Sequence, residues 1–205
     1  MLGVTDYGAF VLAFILLLFL PGPGNLALVL SAGQGGLRGG MASVFGLLVG
    51  DQILMWLAVA GVAALLQSLP ALFAVLQGLG AAYLAWMGWR MWWPKAGGAA
   101  PVRVRPGRYF LDTLMITLLN PKAVMFYFAF FPQFIDPQAH QGLITFGFMA
   151  LTVALLGGAY CTGVVCLTHG MARRLDANPR LTLALRDRKS TRLNSSHGYI
   201  SYAVF

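Results

Sequence analysis

The sequence has too few charged residues for a water-soluble domain. Charged side chains make up 10% of its 205 residues, whereas hydrophobic residues make up 59%, and the mean hydropathy is +0.74. A soluble chain of this length could not bury so much apolar surface in one core. Because a chain that crosses lipid must satisfy its own backbone hydrogen bonds, we predict an all-α, polytopic integral membrane protein.

Cysteine and histidine are also scarce. Cys161 and Cys166 lie in one apolar segment at a spacing that matches no zinc or redox motif, and the three histidines are scattered. We therefore predict no catalytic residue, no metal and no cofactor. The alternative from another functional class is a membrane-embedded enzyme or electron-relay subunit, which would need paired histidines, or cysteines on separate helices.

Basic residues outnumber acidic ones, and the formal net charge is +8. In a membrane protein such an excess is typical of cytoplasmic loops, so we predict the lipid bilayer as a partner and no nucleic acid. The first eight residues contain no lysine or arginine, and no small-residue cleavage site follows the first apolar run. This pattern predicts a retained helix rather than a signal peptide.

Five apolar segments have the length of a membrane span, about 20 residues. They cover residues 7–31, 41–66, 72–93, 109–135 and 143–171. Basic residues fall in the first, third and fifth connections and are missing from the second and fourth. By the positive-inside rule, these three connections are cytoplasmic and the N-terminus is periplasmic.

The first apolar segment is interrupted by a run of prolines and glycines: Pro21, Gly22, Pro23, Gly24 and Asn25. Proline removes backbone donors, so unpaired polar groups arise at bilayer depth, where lipid cannot satisfy them. In carriers such interruptions often form the binding site for substrate or coupling ion. The motif therefore points to transport.

The fourth apolar segment is interrupted in the same way, at Asn120, Pro121 and Lys122. Two broken helices, each followed by unbroken ones, indicate a 3+3 inverted repeat with the site between the halves. We therefore expect six helices in the complete fold, of which five are present, with helices 1 and 4 broken at proline.

Asp51 lies within the second apolar segment, where a carboxylate is costly and by default functional. It would serve in proton coupling or as a counter-charge for an ammonium group. Its structural alternative is a hydrogen bond to the broken backbone or a pair with Lys122. Lys122 would bind an anionic group or cap exposed carbonyls, and Asn25 and Asn120 would satisfy freed backbone groups or face the substrate.

Two glycines in the second apolar segment have a spacing that favours helix packing. Gly46 and Gly50 form a G-x-x-x-G pair, which indicates close helix packing and, as a weaker alternative, a homo-oligomer.

Residues 187–205 are polar and aperiodic, and residues 187–197 (DRKSTRLNSSH) match the conceptual translation of a common sequencing-library adapter. We expect a transmembrane domain over residues 1–186, followed by a non-native, disordered tail.

Four ordered motifs give the chain a family resemblance: residues 21–25 (PGPGN), 46–51 (GLLVGD), 83–92 (YLAWMGWRMW) and 118–137 (LLNPKAVMFYFAFFPQFIDP). Together they resemble the LysE/RhtB family of bacterial amino-acid exporters, over residues 6–186. The resemblance implies a six-helix inner-membrane carrier that exports amino acids or close derivatives, driven by the proton gradient or membrane potential. The two proline breaks and Asp51 are the site positions that it implies. Because the sixth helix is missing, a non-functional truncated product is a further alternative.

Overall fold

The computed structural model describes residues 3–68, 70–92, 102–135 and 142–176. The expected tail at residues 187–205 lies outside them, as do parts of the third and fourth connections. The helices are α1 (Tyr7–Phe19), α2 (Pro23–Ser68), α3 (Pro70–Trp92), α4 (Tyr109–Leu118), α5 (Pro121–Met125) and α6 (Leu143–Asp176). A π-helical turn (Phe126–Phe130) and a 3-10 turn (Phe131–Phe134) follow α5 directly. The predicted all-α class is confirmed.

Several helices have the length and composition of membrane spans. Among the described residues, Pro23–Gly61 and Leu143–Arg174 are long and apolar enough to cross a bilayer. A third candidate is the pair Tyr109–Leu118 and Pro121–Phe134, which is bent by 50° at its break. Large apolar side chains cover the outer surface, including Leu57, Leu143, Leu155 and Leu167. Such a surface is suited to contact with lipid, and the molecule is a membrane protein. The number of membrane spans, five, stays a prediction.

Helix α2 reverses direction at Gly36. This residue has φ 60° and ψ −153°, a backbone conformation that glycine adopts far more readily than other residues. The hydroxyl oxygens of Ser31 and Ser43 are 2.5 Å apart, although twelve residues of straight helix would separate their Cα atoms by about 18 Å. Residues 23–35 and residues 37–68 therefore form two antiparallel arms, and the connection predicted at residues 32–40 is reduced to one non-helical residue.

Both predicted interruptions are confirmed. Helix α1 ends at Phe19 and α2 begins at Pro23, while α4 ends at Leu118 and α5 begins at Pro121. Proline lacks the N–H that the preceding helix would need, but its fixed φ suits the first turn of the next helix. Each proline thus ends one helix and starts another.

Close backbone packing joins the second arm of α2 to α4. A Cβ atom at Gly46 would overlap the carbonyl oxygen of Phe110, and one at Gly50 would lie 2.8 Å from the Thr117 side chain. The G-x-x-x-G pair therefore serves helix packing within the chain, as predicted. On the other side of this arm, a core of aromatic side chains joins α1, α6 and the turns that follow α5: Phe10, Phe14, Phe126, Tyr127 and Phe131.

Candidate functional site

The two helix interruptions meet at Lys122. Its side chain is buried at 8% exposure, and its ammonium donates hydrogen bonds to the carbonyl oxygens of Leu17 (2.9 Å) and Leu20 (2.8 Å). These carbonyls lie at the end of α1, where no further turn of helix follows, and the Leu17 oxygen also accepts from the backbone N–H of Leu20 at 3.2 Å. The ammonium also lies against Gly22, where a Cβ atom would be 3.4 Å from its nitrogen. Lys122, which lies at the second break, thus caps the carbonyl groups at the first break.

Two asparagines complete the capping of the broken backbone. The Asn25 amide donates to the carbonyl oxygen of Leu18 at 3.0 Å and lies 3.3 Å from the Tyr160 hydroxyl. The Asn120 side-chain oxygen accepts from the backbone N–H of Lys122 at 3.1 Å, which caps the start of α5. The local roles that the sequence suggested for these asparagines are therefore present in the structure.

Asp51 projects from the second arm of α2 and is 7% exposed. Its main electrostatic neighbours are the Lys122 ammonium and the Tyr127 hydroxyl. No salt bridge joins Asp51 to Lys122 in the described part of the chain, where Arg105 and Asp112 form the ion pair instead. The direct pair that the sequence offered as a structural alternative is therefore not formed. A buried carboxyl group and a buried ammonium group of opposite charge face the same region without contact.

Two buried hydroxyls near this region have no hydrogen-bond partner within the described residues. They belong to Tyr127, on the π-helical turn, and Thr117, near the end of α4 beside Gly50. The sequence analysis missed both residues. A tyrosine within the aromatic run at residues 126–131 indicates packing, and a threonine in a helix usually bonds to its own backbone. Only the three-dimensional arrangement reveals that these oxygens lack partners.

An apolar cavity of about 280 Å³ borders the first interruption. Its lining includes Leu17 and Leu20, whose carbonyls hold Lys122, and Phe126, which precedes Tyr127. Ala13 and Leu16 of α1 and Ala81 and Ala85 of α3 complete the lining. Polar groups at the two breaks therefore lie beside a space with only apolar walls.

A second polar cluster lies away from the breaks, at the reversal of α2. The Ser43 hydroxyl contacts that of Ser31 and accepts a hydrogen bond from Thr113 at 2.9 Å; all three side chains are fully buried. These hydroxyls satisfy one another and hold both arms of α2 to α4. We assign the cluster to the scaffold and not to the site.

The structure thus brings most of the predicted site residues to one region. Gly22 lies against Lys122 and Asn25 against the end of α1, while Pro21 and Pro23 flank Gly22 in the chain and Gly24 lies against Leu47. Asn120 and Pro121 begin the helix that carries Lys122. Asp51 belongs to the region because its carboxyl group interacts electrostatically with the Lys122 ammonium.

Comparison with known proteins places the chain among membrane translocators. The family model described as LysE type translocator matches residues 15–185. A leucine efflux protein of Enterobacter sp. (strain 638) is 36% identical over 188 residues, which cover 87% of each chain. A leucine efflux protein of Salmonella choleraesuis (strain SC-B67) is 35% identical, over 80% of this chain and 79% of the relative. An uncharacterized membrane protein of Pseudomonas aeruginosa is 36% identical over 80% of each chain.

No solved structure matches the chain significantly.

Proposed function

The chain belongs to the LysE type translocator family, and from this premise we propose that it exports amino acids across the bacterial inner membrane. Its N-terminus would lie in the periplasm, and the proton gradient or the membrane potential would drive export. The observation that carries the proposal is the presence of Lys122 and Asp51, two buried side chains of opposite charge, beside two interrupted helices. A zwitterionic amino acid has the complementary pair of charges.

The carboxylate of the substrate would bind at the junction of the breaks. The ammonium of Lys122 approaches Gly22 there, and the first turn of α2 has backbone N–H groups without intrahelical partners. Both features favour an anion. In carriers, half-helix N-termini commonly point at anionic substrate groups.

The ammonium of the substrate would bind near Asp51. The carbonyls at the end of α1 are occupied, because Leu17 and Leu20 accept from Lys122 and Leu18 accepts from Asn25. The Asp51 carboxyl is an anionic acceptor without a salt bridge among the described residues, and we assign it to the cation. This assignment gives Asp51 the role of counter-charge; proton coupling at the same carboxyl group is compatible with it.

The side chain of the substrate would lie in the apolar cavity beside Phe126. A basic or acidic side chain would find no partner among the alanine, leucine and phenylalanine side chains of its lining. A branched aliphatic side chain fits these walls, and the named function of the Enterobacter and Salmonella relatives supports leucine. We therefore propose leucine or a similar neutral amino acid as the substrate.

Excretion from cells tests the proposal. Cells that lack their own exporters and are fed a leucine-containing dipeptide should excrete leucine when they express this chain. A parallel strain should express residues 1–186 joined to the C-terminal part of the Enterobacter relative, which tests whether the given chain end limits activity. If neither strain excretes any amino acid across a full panel, the proposed function is wrong.

Asp51 provides the matching site test. Asp51→Asn should abolish efflux while the amount of protein in the membrane stays at the wild-type level. Asp6→Asn is the control, because Asp6 accepts from the N–H of Ala9 at the start of α1 and asparagine caps helices equally well. Full efflux by Asp51→Asn would exclude an essential role for the carboxylate.

A further inference from the structure

The Tyr127 hydroxyl is buried and makes no regular hydrogen bond among the described residues. The residue has 0% exposure, and its hydroxyl oxygen has no hydrogen-bond partner within the described residues. Burying an unpaired hydroxyl is unfavourable, and native proteins usually avoid it. Such a hydroxyl is available to form a hydrogen bond with a ligand that binds reversibly.

Packing explains the ring of Tyr127 but not its hydroxyl. The ring packs edge-on against Phe126, with centroids 5.3 Å apart, and lies 6.2 Å from the ring of Phe131. Phenylalanine would make the same ring contacts. The residue also belongs to a π-helical turn, Phe126–Phe130, and such turns occur frequently at functional sites.

The ionisable group that faces this hydroxyl is Asp51. The Tyr127 hydroxyl and the Asp51 carboxyl interact as donor and acceptor, in a geometry that falls outside that of a regular hydrogen bond. The Lys122 ammonium, the cation near Asp51, donates to the carbonyl oxygens of Leu17 and Leu20 at the end of α1. A group with several N–H donors would satisfy both the carboxylate and the phenol oxygen at once.

We propose that Tyr127 is a second binding residue for the substrate's ammonium group, beside Asp51. The inference rests on the proposed function and adds a specificity determinant to it. The phenol oxygen accepts one N–H of the ammonium, the Asp51 carboxylate accepts another, and the phenol O–H remains free to donate to the carboxylate. The hydroxyl thereby distinguishes amines from acids that lack an amino group.

Binding to the purified full chain tests the inference, with three ligands followed by ligand-observed NMR titration. Leucine carries both charged groups, leucinamide carries the ammonium alone, and 4-methylpentanoate carries the carboxylate alone. Tyr127→Phe should lower the affinity for leucine and for leucinamide roughly tenfold, as expected for a lost hydrogen bond to a charged group. The affinity for 4-methylpentanoate should not change.

The control is Tyr7→Phe, which removes another tyrosine hydroxyl. The Tyr7 hydroxyl lies 3.2 Å from that of Thr152, which also donates to the carbonyl of Phe148, so the change leaves Thr152 with a partner. This variant should bind all three ligands as the wild type does. Equal weakening of all three ligands in Tyr127→Phe, or no weakening, would overturn the inference.

A measurement on the unchanged protein covers the case in which Tyr127→Phe does not fold. Trimethylation of the leucinamide nitrogen removes its N–H donors while keeping its charge. The trimethylated ligand should bind wild-type protein at least tenfold more weakly than leucinamide; equal affinity would overturn the inference. If the wild-type protein binds no standard amino acid, the proposed function is wrong. If the wild type binds leucine but Tyr127→Phe binds it equally well, only the role of Tyr127 is wrong.

Discussion

Lys122 shows how a single side chain resolves the cost of a helix break inside a membrane protein. Its ammonium would be unfavourable at that depth unless acceptors surround it, and the carbonyls at the end of α1 would be unfavourable without donors. Contact between them satisfies both requirements. The lysine is therefore part of the scaffold that shapes the site as well as a candidate for substrate binding.

Removal of this ammonium should destabilise the fold. Lys122→Met leaves Leu17 and Leu20 without their charged donor and Asp51 without its nearby positive charge. Hydrogen bonds to charged groups contribute about 1.5–3 kcal/mol each, so we expect the loss of two to lower the free energy of unfolding by about 3–6 kcal/mol, measured by denaturant titration in detergent micelles. Arg173→Met, at an exposed position, should change it by less than about 0.5 kcal/mol. Equal stability of the two variants would contradict the capping role.

The site residues that the sequence predicted share one property. Asn25, Asp51 and Lys122 are polar groups in apolar surroundings, and each costs too much free energy to be there by chance. Tyr127 and Thr117 carry no such signal, because their side chains fit an apolar helix with the hydroxyl bonded locally. Whether a hydroxyl has a partner depends on neighbours distant in sequence, and no local pattern records it.

Among the helices, α2 depends most on a single residue. Its two arms are antiparallel because Gly36 adopts φ 60° and ψ −153°. A side chain at this position is strained whatever the space around it, although the nearest atom to a Cβ there, in His169, is 3.7 Å away. The reversal therefore depends on the backbone of Gly36 and not on the packing around it.

Gly36→Ala should lower the free energy of unfolding by about 1–3 kcal/mol, the usual cost of this backbone conformation for other residues. Gly33→Ala is the matched control, because a Cβ atom at this helical glycine would have no neighbour within 4 Å. Alanine favours helix, so we expect the control to be unchanged or more stable by up to about 1 kcal/mol. The two variants are compared by denaturant titration; a neutral Gly36→Ala would show that the reversal tolerates a side chain.

Proline breaks are predictable from sequence, whereas the reversal of α2 was predicted only as a loose connection. Pro21, Pro23 and Pro121 interrupt a helix through their own covalent structure, so local chemistry decides the outcome. Gly33, Gly35, Gly36, Gly39 and Gly40 all permit a turn in principle. Gly39 and Gly40 serve close packing instead, because a Cβ atom at either would lie too near Ser31, Ala32 or Val165. Gly36 is the residue of α2 that adopts the non-helical conformation.

On the scale of the whole molecule, the distribution of charge predicts the orientation in the membrane. Arg103, Arg105 and Arg108 lie in the third connection, whereas the segment before α1 has no basic residue. The positive-inside rule then places Thr5 in the periplasm and Arg103 in the cytoplasm. Both side chains are exposed, so each position is open to chemical labelling.

Cysteine labelling in whole cells checks this orientation. In a background with Cys161 and Cys166 replaced by alanine, Thr5→Cys should react with a membrane-impermeant maleimide added outside the cells. Arg103→Cys should react only after the membrane is permeabilised. The opposite pattern would mean that the chain is inserted the other way round.

The contact between Lys122 and the end of α1 also limits how the molecule can move. The last carbonyls of α1 and the first turn of α5 are held together by two charged hydrogen bonds, so separating them would cost several kcal/mol in a dry interior. We therefore expect the two broken helices to travel as one rigid body during a transport cycle. The Gly46 and Gly50 contacts also hold the arm of α2 that carries Asp51 against α4, so this arm would move with the same body and Asp51 would keep its place relative to Lys122.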